Sequence, residues 1–341
     1  MSPRQRQRTA TRDDVARLAG VSNAVVSYVV NGGPRPVAEE TRVRVLDAID
    51  RLGYRPNGAA RALRLARTST IGLLVRDNTN PFFAEFAHAV EDAAFARDHA
   101  VLLGNSSGSA EREASYLGAF LDRAVDGLMI IGLSDSPQFD DVFERGTPLV
   151  VLDRVPSRPG LAVVVVDNTG GARLATRHLV EHGHRAIGCL RGPAGIAAAD
   201  ERVAGWRSAM RSARLPHPKS LVVAAEFTRE AGYRATLEML GRTPAPTALF
   251  VSSDVQAIGA LSALREAGRR VPDDVAVVSF DGTDESAFTD PPLTAVREPF
   301  AEMAAKALSL LLDGDCSGDH LLPVELVVRA SCGCHARRRD T

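Results

Sequence analysis

From Ile71 to Ser279 the chain alternates short apolar runs with longer amphipathic stretches. The runs fall at 71–75, 100–103, 127–131, 148–152, 163–166, 186–190, 221–224, 247–251 and 274–279. Most are near-continuous in Val, Ile, Leu and Ala (IGLLV, AVLL, VVVV), so both faces of each strand must be covered. Between them lie stretches with helical spacing at 82–97, 110–123, 168–182, 200–213, 228–240, 254–267 and 299–312. A strand that returns through a helix pairs in parallel with its predecessor. The alternation therefore predicts an α/β body of parallel sheets with helices on both faces. Ligands in such sheets bind beyond the carboxyl ends of the strands.

The chain before Ile71 has a different texture. Residues 1–67 carry 13 Arg against 6 acids, while the remainder carries more acids than bases. A small basic head on an acidic body suits a head that meets phosphates. Within it, residues 11–31 read TRDDVARLAGVSNAVVSYVVN. Thr11 is placed as an N-cap, with Asp13 and Asp14 in the first turn. Val15, Ala16, Leu18 and Ala19 form an apolar stripe, and Gly20 stands where a helix ends in a left-handed residue. Val21 anchors the turn and Ser22 caps a second helix. Val25, Val26, Val29 and Val30 face inward there and leave Asn23, Ala24, Ser27 and Tyr28 more exposed. This is the helix-turn-helix pattern, which lays one helix in the major groove of DNA. Taken alone, it reads equally well as a plain helical hairpin. Pro34 and Pro36 mark a loop. Residues 38–51 are expected to close a three-helix core with Val43, Leu46, Ile49 and Leu52, ended by Gly53.

The order and spacing of D-V-A-x-x-A-G-V-S, V-S-x-V-x-N-G, L-G-Y-x-P-N and A-R-x-L in residues 13–63 resemble the lac repressor/galactose repressor family of bacterial transcription regulators. The resemblance runs through nearly the whole chain. It implies an all-α helix-turn-helix head and a two-lobed α/β body like the type I periplasmic binding proteins. By region it implies a disordered basic arm at 1–10, the DNA-binding domain at 11–55 and a hinge helix and linker at 56–69. An effector-binding and dimerisation body at 70–330 and a tail at 331–341 follow. Asn23, Ala24 and Tyr28 match base-reading positions, with Ser22, Ser27 and Asn31 beside them. Asn can pair with adenine and Ala can touch a thymine methyl. Asn57, Ala60 and Leu63 match the hinge, where the family's Leu wedges into the minor groove and bends the duplex. Val25 departs from the Thr that relatives often place beside the phosphate backbone. The implied partners are double-stranded DNA with a near-palindromic operator, a small-molecule effector and a second copy of the chain. A symmetric dimer matches two half-sites.

The body's ligand candidates lie just after strands. Phe82 and Phe83, in N-P-F-F, can wall a pocket or simply pack a lobe. Asp153-Arg154 follows the 148–152 run. The resemblance implies that Arg202, in R-V-A-G-W, grips ligand hydroxyls or carboxylates, a role suited to its fork of donors. Asp281, in V-S-F-D-G, matches an Asp that accepts from ligand, and it reads equally as an Asp-Gly turn. Ser253 stands where many relatives have Asn. One hydroxyl replaces an amide there, which sets the usual sugar ligand in question.

Other motifs point elsewhere. Gly104–Gly108 fits G-x-S-x-G around Ser106, yet no His or acid is placed as its partner. His178-x-x-Glu181-His182 fits a metal pattern, but Gly183 ends that helix and capping explains it. Cys332-Gly-Cys-His335 supplies only three ligands. No G-x-G-x-x-G is present, no cofactor is expected, and the chain reads as a non-enzyme. The four cysteines do not look like a disulfide framework. No apolar run is long enough to span a membrane, and the Arg-rich start lacks an apolar export core. A cytoplasmic protein is expected. The rival readings are a solute-binding protein without DNA function, and a hydrolase carried by Ser106 or the His178 cluster.

Overall fold

The computed structural model describes residues 10–31, 35–55, 67–131, 139–153, 155, 161–243, 245–314 and 316–334. The chain divides into two compact units, 1–68 and 69–341.

The described residues of the first unit form three helices, α1 (Arg12–Ala19), α2 (Asn23–Asn31) and α3 (Glu39–Leu52). Thr11 and Asp14 close a reciprocal capping box, and Gly20 ends α1 at φ 65°. The Ser22 hydroxyl accepts the Val25 N–H at 3.4 Å, which places the start of α2. Val15, Ala16, Ala19, Val26, Val45 and Ala48 form the core, with Val29, Val30, Ile49 and Leu52 packed around it. Two expected core faces are corrected. Leu18 is 43% exposed, and in α3 Val43 and Leu46 are 56% and 43% exposed. The stripe that α3 turns inward is Val45, Ala48, Ile49 and Leu52, one face round from the expected one. Small Ala residues lie at the centre because three short helices cross closely there.

The second unit is built on two six-stranded sheets. The first contains β1 (Thr70–Val75), β2 (Ala100–Asn105), β3 (Gly127–Ile131), β4 (Leu149–Val151), β5 (Leu161–Val166) and β11 (Gly318–Leu322). Their order is β11-β5-β4-β3-β1-β2, all parallel. The second contains β6 (Ile187–Arg191), β7 (Val222–Ala224), β8 (Ala248–Val251), β9 (Ala276–Asp281), β10 (Thr294–Arg297) and β12 (Glu325–Val327). Their order is β12-β10-β9-β8-β6-β7. Only the β12 edge is antiparallel, against β10. Strands β1, β3, β4, β5, β8 and β9 are buried almost throughout, as near-continuous apolar runs require.

The helices are α4 (Pro81–Phe95), α5 (Ala110–Asp122), α6 (Phe139–Glu144), α7 (Asn168–Glu181), α8 (Ala197–Ser212), α9 (Arg229–Leu240), α10 (Asp254–Glu266) and α11 (Phe300–Leu312). The sequence pattern missed α6, β10, β11 and β12. The chain passes between the sheets after Val166, after Arg297 and after Leu322. The second crossing brings α11 back onto α4 and the first sheet. At the crossing of α7 and α8, a Cβ on Gly205 would lie 2.3 Å from the Thr169 carbonyl oxygen. That close approach sets Arg202 of α8 beside the start of α7.

Candidate functional site

In the head, Ser22, Asn23 and Ala24 are exposed and Ser27 and Tyr28 half-buried. Five of the expected DNA contacts thus share the first turns of α2, and Asn31 closes that helix. The Asn23 amide nitrogen donates to Asp13 of α1. The Asn23 amide keeps a second N–H and its carbonyl oxygen, the pair a base edge needs. Val25, expected inside, is half-buried. Asn57, Ala60, Leu63 and Arg154 lie outside the described residues.

In the body, a cleft of about 360 Å³ is lined by Phe82, Phe83, Asp153, Arg202, Ser253 and Asp281. The structure therefore brings all six expected ligand residues to one cavity. Phe82 and Phe83 begin α4, where the Asn80 side chain accepts the Phe82 N–H at 3.0 Å. Phe82 also meets Phe83 and Phe300 of α11 edge-on, with ring centres 5.1 and 5.3 Å apart. These rings both wall the cleft and pack the lobe.

Arg202 is at the centre and is 6% exposed. Its Nε donates to Asn168 Oδ1 at 2.8 Å. Its Nη1 donates to the Ser252 carbonyl at 2.6 Å and to Asp281 Oδ1 at 3.0 Å. Its Nη2 donates to Glu298 Oε1 at 2.8 Å. The guanidinium lies 3.7 Å above the Phe280 ring centre, a favourable face for a cation. Among the described residues these bonds use four of the five N–H groups and leave one at Nη2. Asn168 and Glu298 each sit beside a crossing between the lobes, so the guanidinium is tied to two of the three connecting segments.

The acids around it are held out of water. Burial pushes Glu298 up to about 7 against the lowering pull of Arg202. Burial raises Asp254 to about 6, against hydrogen bonds from Ser279 and Thr283. Burial also lifts Asp281 well above the usual carboxylate range, again opposed by Arg202. Burial thus moves all three towards the protonated form. Asp281 has φ 99°, the left-handed side that a non-glycine residue seldom takes. Gly282 follows at φ 69°, where a Cβ would meet the Arg297 Cα at 2.5 Å. Asp281 is the Asp of a tight turn, lines the cleft, and accepts from Arg202 and from the Asp254 N–H.

Ser253 is principally a cap. Its hydroxyl accepts the Gln256 N–H at 3.3 Å and donates to Gln256 Oε1 at 3.2 Å. Any further use of this oxygen is as an acceptor. Ser106 is buried, and its hydroxyl accepts the Gly108 N–H at 3.2 Å within a turn. Asn168 and Glu298 escaped the sequence analysis. Asn168 is an ordinary Asn after a strand, and Glu298 follows β10, which was not anticipated. Arg76, Asp77, Glu226 and Phe227 also line the cavity.

Together the fold and the sites define a helix-turn-helix head joined in one chain to a two-lobed ligand-binding body. Residues 11–57 match the family of lacI bacterial regulatory proteins, and residues 176–332 match the periplasmic binding protein-like domain. The chain is 35% identical over 306 residues to the HTH-type transcriptional repressor PurR of Aliivibrio salmonicida strain LFI1238, covering 89% of this chain and 92% of that one. It is 37% identical over 307 residues to PurR of Escherichia fergusonii, covering 89% and 90%. Among solved structures, the transcriptional regulator CelR in complex with cellobiose is 36% identical with a TM-score of 0.71, covering 94% of this chain and 99% of that one. The lac repressor dimer bound to operator and the anti-inducer ONPF is 29% identical with a TM-score of 0.83, covering 95% and 99%. The chain belongs to the lacI family of bacterial regulatory proteins and is a DNA-binding transcription regulator. No helix among the described residues is long and apolar enough to cross a membrane.

Proposed function

We propose that the protein is a dimeric cytoplasmic repressor, not an enzyme, whose hold on a near-palindromic operator is set by a neutral, polyhydroxylated small molecule in the cleft. The carrying observation is Arg202, whose guanidinium reaches the cavity and is bonded to Asn168 and Glu298 beside two inter-lobe crossings. A hydroxyl that engages Arg202, Asp281 or Glu298 acts on the segments that set the angle between the lobes.

The charge of the lining supports a neutral ligand. Arg76 and Arg202 face Asp77, Asp153 and Glu226 besides the buried Asp281 and Glu298, an excess of acid even with the buried pair protonated, and it disfavours phosphates and carboxylates. Phe82, Phe83 and Phe227 supply apolar walls against which a sugar ring can lie. CelR, solved with cellobiose, makes a β-linked disaccharide the first compound to try. At the DNA, Asn23, Ala24 and Tyr28 read bases, while Ser22, Ser27 and Asn31 hold the backbone. The ligand signal reaches them through the sequence between α3 and β1, which contains Asn57, Ala60 and Leu63.

The test is selection from random duplex DNA with full-length protein at one stated salt concentration, with and without neutral saccharides. A near-palindrome is expected to enrich. Absence of enrichment under every condition would refute the operator reading. Thermal stabilisation by sugar phosphates rather than by neutral sugars would refute the ligand class.

A further inference from the structure

Two sequence fragments that looked incomplete apart meet in the body. His178 and His182 stand one turn apart at the end of α7, with ring centres 4.4 Å apart. The Cys334 Sγ lies 3.4 Å from His178 Nε2 and 3.0 Å from His182 Nε2. The Cys332 Sγ is 3.2 Å from that of Cys334, to which it donates. One donor atom from each of His178, His182 and Cys334 falls within 4.8 Å of the others.

The donors are held in place before any ion arrives. His182 Nδ1 is 2.7 Å from the His178 carbonyl oxygen. A carbonyl only accepts, so Nδ1 carries the proton and the Nε2 lone pair faces the sulfur. On the other side the tail is anchored one residue ahead of Cys332. The Ser331 hydroxyl donates to the Val277 carbonyl at 2.7 Å and accepts the Thr294 N–H at 2.8 Å. Gly333 then takes φ +86°, a conformation costly for other residues, and so turns the chain between the cysteines. A fixed turn thus presents two sulfurs to a fixed helix face.

We propose that His178, His182, Cys332 and Cys334 form a transition-metal site of two imidazoles and two thiolates, suited to Zn²⁺, that clamps the tail to the end of α7. Tetrahedral Zn²⁺ with bonds of about 2.0–2.3 Å needs its donors about 3.3–3.8 Å apart; the contacts of Cys334 at 3.0–3.4 Å already approach that spacing, and the Cys332 Sγ, 3.2 Å from Cys334, turns in to complete the set when the ion binds. Nitrogen and sulfur donors select Zn²⁺ over Ca²⁺ or Mg²⁺, which take oxygen. Binding releases the two thiol protons to water and leaves a neutral centre of one dication and two thiolates.

The test uses untagged full-length protein reduced with a phosphine. Co²⁺ titration should saturate at one ion per chain. It should give the strong visible bands of tetrahedral cobalt and a near-ultraviolet sulfur-to-metal charge-transfer band, and Zn²⁺ should abolish both. Cys334→Ser and His182→Gln should each weaken Zn²⁺ by about a hundredfold or more, at least the loss expected for second-shell partners. Both side chains are half-buried at the surface of the body, and circular dichroism checks that each variant is folded. Cys316→Ser, whose thiol donates to the Leu149 carbonyl in the other lobe, should leave binding unchanged. Weak octahedral cobalt spectra, or binding unchanged in both ligand variants, would overturn the proposal. A Cys332–Cys334 disulfide that persists in phosphine would overturn it as well.

Discussion

Replacing Arg202 with Met keeps an apolar stem of similar length and deletes every N–H. Glu298 and Asp281, 4% and 3% exposed, then lose their cation while staying out of water. Removing one partner of a buried pair costs about 3–5 kcal/mol. Uptake of protons by the stranded acids limits the loss, because burial already raises both. A loss of about 4 kcal/mol, at about 3 °C per kcal/mol for a body of this size, lowers the unfolding midpoint by about 12 °C. Arg202→Lys should fall between, since an ammonium offers three donors and cannot span the four acceptors. The double variant Arg202→Met/Glu298→Gln should recover at least about 1 kcal/mol, because it removes one stranded charge. Scanning calorimetry of the full-length chain reads all three, with cellobiose added to read ligand stabilisation. A drop below about 3 °C in Arg202→Met, with ligand stabilisation intact, would refute the keystone role of this side chain.

Two further outcomes follow from the same geometry. Between the ordinary Glu value of 4.5 and about 7, native Glu298 holds more proton than the unfolded chain, so stability falls as pH rises through that window. Midpoints at pH 5 and pH 8 should show this, and Glu298→Gln should flatten the slope. An unchanged slope would place the titration elsewhere. Asp13→Ala frees the Asn23 amide, so discrimination between selected and scrambled operators should fall about fivefold, the value of one hydrogen bond. Unaltered discrimination, measured by competition at constant salt, would show that Asp13 does not position Asn23.

Most of the body was legible because buried parallel strands leave long apolar runs. Residues 71–75 and 163–166 could be little else, and the observed strands Thr70–Val75 and Leu161–Val166 coincide with them. The strands missed are those that break this rule. Residues 318–322 read GDHLL, half-polar and at an edge of the first sheet, and 325–327 pair antiparallel at an edge of the second. Missing β10 also hid Glu298, since a residue is recognised as a cleft group only once its strand is known. In the head, the caps at Thr11 and Gly20 were plain because capping is local chemistry. The inward face of α3 was not, because Val43 and Leu46 outweigh Ala48 in any reckoning by hydrophobicity, whereas close helix packing prefers the small residue. The thiol–imidazole cluster shows the same limit. Its halves lie some 150 positions apart, and each half alone has an ordinary explanation.

The central claim is that cleft and operator communicate through the chain. The direct measurement is calorimetric affinity for a stabilising saccharide, taken with free protein and with protein saturated by its selected operator at the same salt. Coupling is reciprocal, so operator must change saccharide affinity by the factor by which saccharide changes operator affinity. Equal factors of about 5–150, in the same direction, are expected, with Arg202→Met abolishing both. Saccharide affinity that is identical with and without operator would contradict it.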